Sequence, residues 1–198
     1  MLAGQAAWQL GLERVLLVPT GIAPHKAISP EPGAEVRLRM ARAAAEGDEL
    51  LEVCDYEVAR ARRGAAGGAA AASGGAPSYT HETLAWLTEQ RPGSELWLLL
   101  GADAAAGLPG WHFPDEVAAM ARLAIAPRAG VSDAQLDESV ARVRGEVRRE
   151  TVEMPELAIS SSLIRARVRT GMPLRYLVPD PVAAIIAAER IYGDADDE

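Results

Sequence analysis

Leu96-Trp97-Leu98-Leu99-Leu100-Gly101-Ala102-Asp103 is the stretch on which the fold turns. Residues 96–100 form an unbroken apolar run, short enough for a strand and apolar enough to be buried on both faces. Gly101 allows close approach of backbone, and Asp103 places a carboxylate just past the strand's carboxyl end. Residues 15–18 and 123–126 repeat the short apolar signal. Doubly buried strands of this kind belong to parallel sheets covered by helices.

Helical signals alternate with these strands. Residues 2–10 are helix formers with Gly11 as a stop. Residues 34–46 place Val36, Met40 and Ala43 or Ala44 on one face, with Gly47 at the end. Residues 81–90 read as a helix capped by Thr80, residues 133–150 as a charged surface helix, and residues 161–170 and 181–192 as two more. Residues 51–55 alternate as a strand does, and residues 151–154 form another short candidate. The pattern predicts an α/β chain with a mostly parallel, doubly wound sheet. Residues 19–33, with four prolines and two glycines, read as a loop. Residues 64–76 are almost wholly Gly, Ala and Ser and read as a flexible surface insertion. Residues 194–198 form an acidic tail, and the whole of 1–198 reads as one domain.

Composition narrows the function classes. The chain has 198 residues, is 49% apolar and carries a net charge of −8. That charge argues against nucleic acid and acidic membrane surfaces as partners. No apolar run reaches membrane-spanning length, and the first residues lack the charged region of a signal peptide. Cys54 is the single cysteine and reads as a small buried hydrophobe; with no internal disulfide available, a cytoplasmic location fits. Lys26 is the only lysine among the 20 basic residues. No cluster with metal-ligand spacing stands out.

Chemistry gathers in four segments. Ile159-Ser160-Ser161-Ser162-Leu163-Ile164-Arg165 places three hydroxyls at a helix entrance and an arginine on its first turn. Unpaired backbone N–H groups, the positive end of the helix dipole and a forked cation suit a phosphate chain; a plain serine cap has the same look. Pro24-His25-Lys26 lies in the loop after residues 15–18. Pro77-Ser78-Tyr79-Thr80-His81 opens a helix, where N–H groups can hold an anion. The fourth segment is Gly101-Ala102-Asp103, with Trp111 and His112 after it. A carboxylate at a strand end can accept ribose hydroxyls, and an exposed loop tryptophan can stack on a flat ring; core packing is the competing role for Trp111. Each segment follows a strand or opens a helix, so all can face one cleft.

The order of these four segments resembles the bacterial nicotinate mononucleotide adenylyltransferases, from Met1 to about Tyr192. The resemblance implies a Rossmann-like nucleotidyltransferase fold. It implies transfer of the adenylyl group of ATP to nicotinate mononucleotide, giving deamido-NAD and pyrophosphate, with Mg²⁺ accompanying ATP. Gly101, Asp103, Ser161, Ser162 and Arg165 would then bind ATP. Lys26, Tyr79, Thr80 and Trp111 would bind nicotinate mononucleotide, and Pro127-Arg128 matches a segment near the nucleotide weakly. Homo-oligomers are left open.

One departure stands against the match. The family opens with a strand, a glycine-rich turn and a His-x-x-His signature. The three histidines here are His25, His81 and His112, none at that spacing. Residues 2–12 read as the family's first helix, so the expectation is a chain without the first strand and without catalytic histidines. Expressed from Met1, it is expected to show low stability and activity near background. Two alternatives stay open: a truncated, non-catalytic nucleotide-binding chain, or another adenylyltransferase such as one for pantetheine phosphate. Tyr79, Thr80 and Trp111 favour nicotinate over pantetheine.

Overall fold

The computed structural model describes residues 1–23, 32–66, 77–128, 130–155 and 158–193. The chain divides into two compact units, each drawn from two separate stretches. Unit 1 comprises Met1–Val15 and Tyr79–Glu156; unit 2 comprises Leu16–Ser78 and Leu157–Glu198.

Unit 1 is built on a three-stranded parallel sheet, β3 (Trp97–Gly101), β4 (Arg122–Ala126) and β5 (Arg149–Thr151), with β4 in the middle. The apolar run of β4 is buried, as the sequence predicts; that of β3 is half-buried except at Leu100, with neighbours packed on both faces. Leu98, Leu100, Leu123 and Ile125 pack on one side with α4 (Thr80–Gln90), α6 (Pro114–Met120) and α7 (Asp133–Val140), through Leu84, Val117 and Leu136. Trp97, Leu99 and Ala124 pack on the other side with α1 (Leu2–Leu10), whose Ala6 is fully buried. Gly11 ends α1 in a left-handed conformation, φ 65°, and returns its N–H to Ala7. Between β3 and α6 lie the short helix α5 (Ala102–Ala106) and a 3₁₀ turn, Leu108–Gly110.

Unit 2 holds a two-stranded sheet pairing β1 (Val15–Leu17), which belongs to it from Leu16 on, with β2 (Leu51–Val53). Its helices are α2 (Ala34–Ala45), α3 (Tyr56–Ala66), α8 (Ser161–Arg169) and α9 (Asp180–Ala188). The apolar face read for α2 is the face it uses. Val36, Met40, Ala43 and Ala44 pack against Ile164 of α8 and Val182 and Ile186 of α9.

Several elements differ from the sequence reading. Thr80 is not a cap: it is the first residue of α4, and Tyr79 holds the N-cap position without a capping bond from its side chain. The charged helix over 133–150 stops at Val140, and the strand expected over 151–154 begins earlier, at Arg149. Gly145 turns the chain with φ 91°, and residues 149–151 take up β4's free edge; sheet pairing overrides local helix propensity there. Asp55 lies outside β2, its carbonyl accepting the Ala59 N–H at the start of α3, a helix the sequence did not suggest. The helix over 181–192 ends at Ala188, and Arg190 and Tyr192 have positive φ. α3 takes in the start of the Gly/Ala tract, through Ala66; the rest of 64–76 and the tail 194–198 lie outside the described residues.

Candidate active site

In unit 2 the α8 entrance divides its three serines between two jobs. Ser160 is the cap: its backbone is extended and its Oγ accepts the Leu163 N–H at 3.1 Å. Ser161 and Ser162 sit in the first turn with exposed side chains. Arg165, one turn on, donates to Ser162 Oγ at 3.2 Å, and its guanidinium lies 6.0 Å from the Tyr192 ring centre. The cap thus leaves the other two hydroxyls free for the anion role read from the sequence: Ser160 does the capping, and Ser161 and Ser162 remain on the surface beside a cation.

Lys26 lies outside the described residues. The described residues flanking it are held by Arg37 of α2, which donates to the carbonyls of Thr20 (2.6 Å), Gly21 (3.1 Å) and Pro32 (2.7 Å). Ser78 exchanges two hydrogen bonds with Ile22: its N–H donates to the Ile22 carbonyl at 2.8 Å, and its Oγ accepts the Ile22 N–H at 3.3 Å. Gly21 is obligatory in this packing, since a Cβ there would stand 2.4 Å from the Glu57 carbonyl oxygen.

In unit 1, Gly101 and Asp103 stand at the carboxyl end of β3. The register sets Gly101 level with Ala126, so Asp103 and Arg128 each lie two residues beyond their strand ends. Their side chains meet at 3.5 Å, both more than half exposed. The Asp103 carboxylate folds back over Gly101, where a Cβ would meet Oδ1 at 2.7 Å. Asp103 is thus in the first turn of α5 rather than in an open turn, and it already holds an arginine.

The α4 entrance carries Tyr79 and Thr80; the Tyr79 side chain makes no capping bond, and the Tyr79 carbonyl accepts the Glu82 and Thr83 N–H groups. Tyr79 stacks on His112, centroids 4.1 Å apart and 20° from parallel. Trp111 is not the exposed platform expected: it is half-buried and packs against the main apolar cluster of unit 1. His112 and Phe113, next in the chain, are the exposed rings of that loop.

Cys54 is buried, and burial pushes its thiol above the ordinary value. Arg62 hydrogen-bonds Glu35 and holds that carboxyl below its usual range. A groove of about 500 Å³ in unit 2 is lined by Arg39, Arg42, Val53 and Ile185 among others and contains none of the expected site residues; Arg39 pairs with Glu189 and Arg42 with Asp55. Among the described residues no group of three His, Cys, Asp or Glu could hold a metal ion, and no helix is long and apolar enough to cross a membrane.

The cytidylyltransferase-like family matches residues 1–167, a span that enters both units. A protein of Synechococcus sp. (strain JA-2-3B'a(2-13)), named as a probable nicotinate-nucleotide adenylyltransferase, is 31% identical over 192 residues, covering 97% of this chain and 88% of that protein. Its namesake from Rubrobacter xylanophilus is 34% identical over 193 residues, covering 97% and 84%. The chain belongs to the nicotinate-nucleotide adenylyltransferase family. Its fold is also that of Plasmodium falciparum nicotinic acid mononucleotide adenylyltransferase complexed with APC, at TM-score 0.67 and 13% identity, covering 97% of this chain and 88% of that one. The same enzyme complexed with NaAD gives a TM-score of 0.65 at 14% identity, covering 91% and 83%. At those identities the likeness speaks for the fold.

For a member of this family, the described site residues fall into two groups. Tyr79, Thr80, Gly101, Asp103 and Trp111 belong to unit 1; Ser161, Ser162 and Arg165 belong to unit 2. Three features escaped the sequence reading: the capping role of Ser160, the Asp103–Arg128 pair, and the ring cluster around Tyr79. Only the Asp103–Arg128 pair had a usable signal, since both residues stand two positions past an apolar strand.

Proposed function

We propose that this chain transfers the adenylyl group of ATP to nicotinate mononucleotide, releasing pyrophosphate and deamido-NAD. The observation that carries the reading is the α8 entrance, with Ser161 and Ser162 exposed, Arg165 beside them and the cap supplied separately by Ser160. Relatives 31–34% identical over nearly the whole chain bear the name of this activity.

In the reaction an oxygen of the mononucleotide phosphate attacks the α-phosphorus of ATP. A new P–O bond forms, the bond to the bridging oxygen of the β-phosphate breaks, and pyrophosphate leaves with that electron pair. Such a step needs positioning and charge stabilisation more than covalent help. Arg165, Ser161, Ser162 and the α8 N–H groups hold the triphosphate. Gly101 gives close backbone approach, and Asp103 accepts ribose hydroxyls, exchanging its contact with Arg128 to do so. Tyr79 and Thr80 present N–H groups to the nicotinate carboxylate, and Trp111 offers its ring edge or face to the pyridine. Lys26 takes the mononucleotide phosphate. Mg²⁺ would enter with ATP and neutralise charge on its phosphate oxygens. We read residues 1–198 as one functional domain in the cytoplasm.

Mass spectrometry of the products tests the reaction. With ATP and nicotinate mononucleotide, a product carrying one added adenylyl group should form together with pyrophosphate. Adenylylation of phosphopantetheine in place of the mononucleotide would sink this reading.

A further inference from the structure

The rings at the α4 entrance form a connected cluster with His81 at its centre. Tyr79 lies stacked on His112 at 4.1 Å. His112 meets Phe113 edge-on at 4.2 Å and 75°. His81, on the first turn of α4, reaches both: its centroid is 4.9 Å from Phe113, edge-on at 66°, and 5.0 Å from His112. The two contacts of His81, at 4.9 and 5.0 Å, are at the separations of favourable aromatic pairs, and the two other contacts of His112 are closer still. Two stretches about thirty positions apart, 79–81 and 112–113, are thus joined by rings.

Two further observations show that this joint is held at a cost. Phe113 is a non-glycine residue in the left-handed region, φ 51° and ψ 58°, and its side chain is 52% exposed. A phenylalanine stays in that conformation only where its surroundings insist on it. His81 Nδ1 is buried and has no hydrogen-bond partner among the described residues. A buried orphan nitrogen destabilises the fold, and a ring without nitrogen would avoid the loss. Strain and orphaned polar atoms of this kind collect at functional sites.

We infer that His81 is a positioning residue for nicotinate mononucleotide: its ring clamps the Trp111-His112-Phe113 loop to the entrance of α4 and so fixes the rings that receive the pyridine. The inference rests on the reading that Tyr79, Thr80 and Trp111 take up that substrate. His81 works by shape in this role. It touches the neighbouring rings, and its nitrogen contributes no bond. The role is placed on the acceptor because the rings His81 meets are Tyr79, His112 and Phe113, while the residues read for ATP are Gly101, Asp103, Ser161, Ser162 and Arg165.

His81→Ala and His81→Phe test this together. In His81→Ala, KM for nicotinate mononucleotide should rise about ten-fold, short of the hundred-fold that misplacing a positioned group can cost. KM for ATP and kcat should stay as in the wild type, the signature of lost acceptor binding. His81→Phe keeps a ring and should restore KM while melting no lower than the wild type. An activity-independent readout accompanies these. The chain has 3 histidines and 1 phenylalanine, so their ring protons can be assigned by NMR. The His112 ring protons should be shifted upfield by Tyr79 in the wild type and in His81→Phe, and should move toward free-histidine positions in His81→Ala. An unchanged KM in His81→Ala overturns the inference. So does a His112 shift that survives the alanine, a phenylalanine variant that behaves like the alanine one, or a parallel loss with ATP and in Tm. If the wild type shows the shifted His112 resonances but neither binds nor turns over the mononucleotide, the substrate assignment fails while the ring clamp stands.

Discussion

Replacing Arg165 with alanine removes a forked cation from beside Ser162 and leaves the Ser160 cap intact. ATP binding should weaken by about 1.5–3 kcal/mol, the range for a charge-assisted hydrogen bond, with little change in Tm. Calorimetric titration of ATP into both proteins checks this; an unchanged affinity would reduce the serine run to a cap. Cys54 makes a second prediction at this scale. Burial raises its thiol pKa, so the folded state holds the proton more tightly than the unfolded state. The stability this contributes is complete below the ordinary thiol value of about 8.5 and is lost as pH rises past it. The wild type should therefore lose more Tm than Cys54→Ala between pH 7 and pH 10, and equal losses would refute the assignment. The triple serine and Arg165 were legible because their spacing alone puts them on a helix entrance. Which serine caps was not, since that depends on the extended backbone at Ser160. The meeting of His81 with His112 was not either, because it needs α4 and the 112–113 loop to be placed by the fold.

At the scale of elements, β4 carries the most structural weight in unit 1, with a paired strand on each side and both faces covered. Leu123 is fully buried at its centre. Leu123→Ala should cost about 2–5 kcal/mol, read as a lower urea midpoint with unchanged slope; a loss within error would mean the sheet core is not as described. The elements that sequence located well are those whose side chains decide their own environment. The runs at 96–100 and 123–126 could only be buried strands, and the face of α2 at Val36, Met40 and Ala43 could only be inward. The elements it located poorly are those decided by partners. Arg149-Glu150-Thr151 is polar and helix-compatible by composition, yet it forms a strand because β4 offers an open edge. α5 and α6 were hidden for a related reason: Gly107, Pro109, Gly110 and Pro114 read as loop, while the chain between them coils into short helices against the core.

For the whole molecule, a net charge of −8 disfavours anions away from local cations, and the groups this account sets against an anionic substrate are Lys26, Arg165 and the helix entrances. On the proposed reading the α4 entrance beside Tyr79 distinguishes one acceptor from another, because N–H groups at the positive end of a helix favour a carboxylate over a neutral amide. Groups that stabilise the transition state act on every acceptor alike, whereas the α4 entrance acts on the pyridine substituent. Absolute rate is therefore a poor guide to the substrate, and the ratio between acceptors is a good one. Steady-state kcat/KM with ATP, measured side by side for nicotinate mononucleotide and nicotinamide mononucleotide, tests the central claim most directly. The account predicts a clear preference for the nicotinate form; equal values, or a preference for the amide, would contradict it.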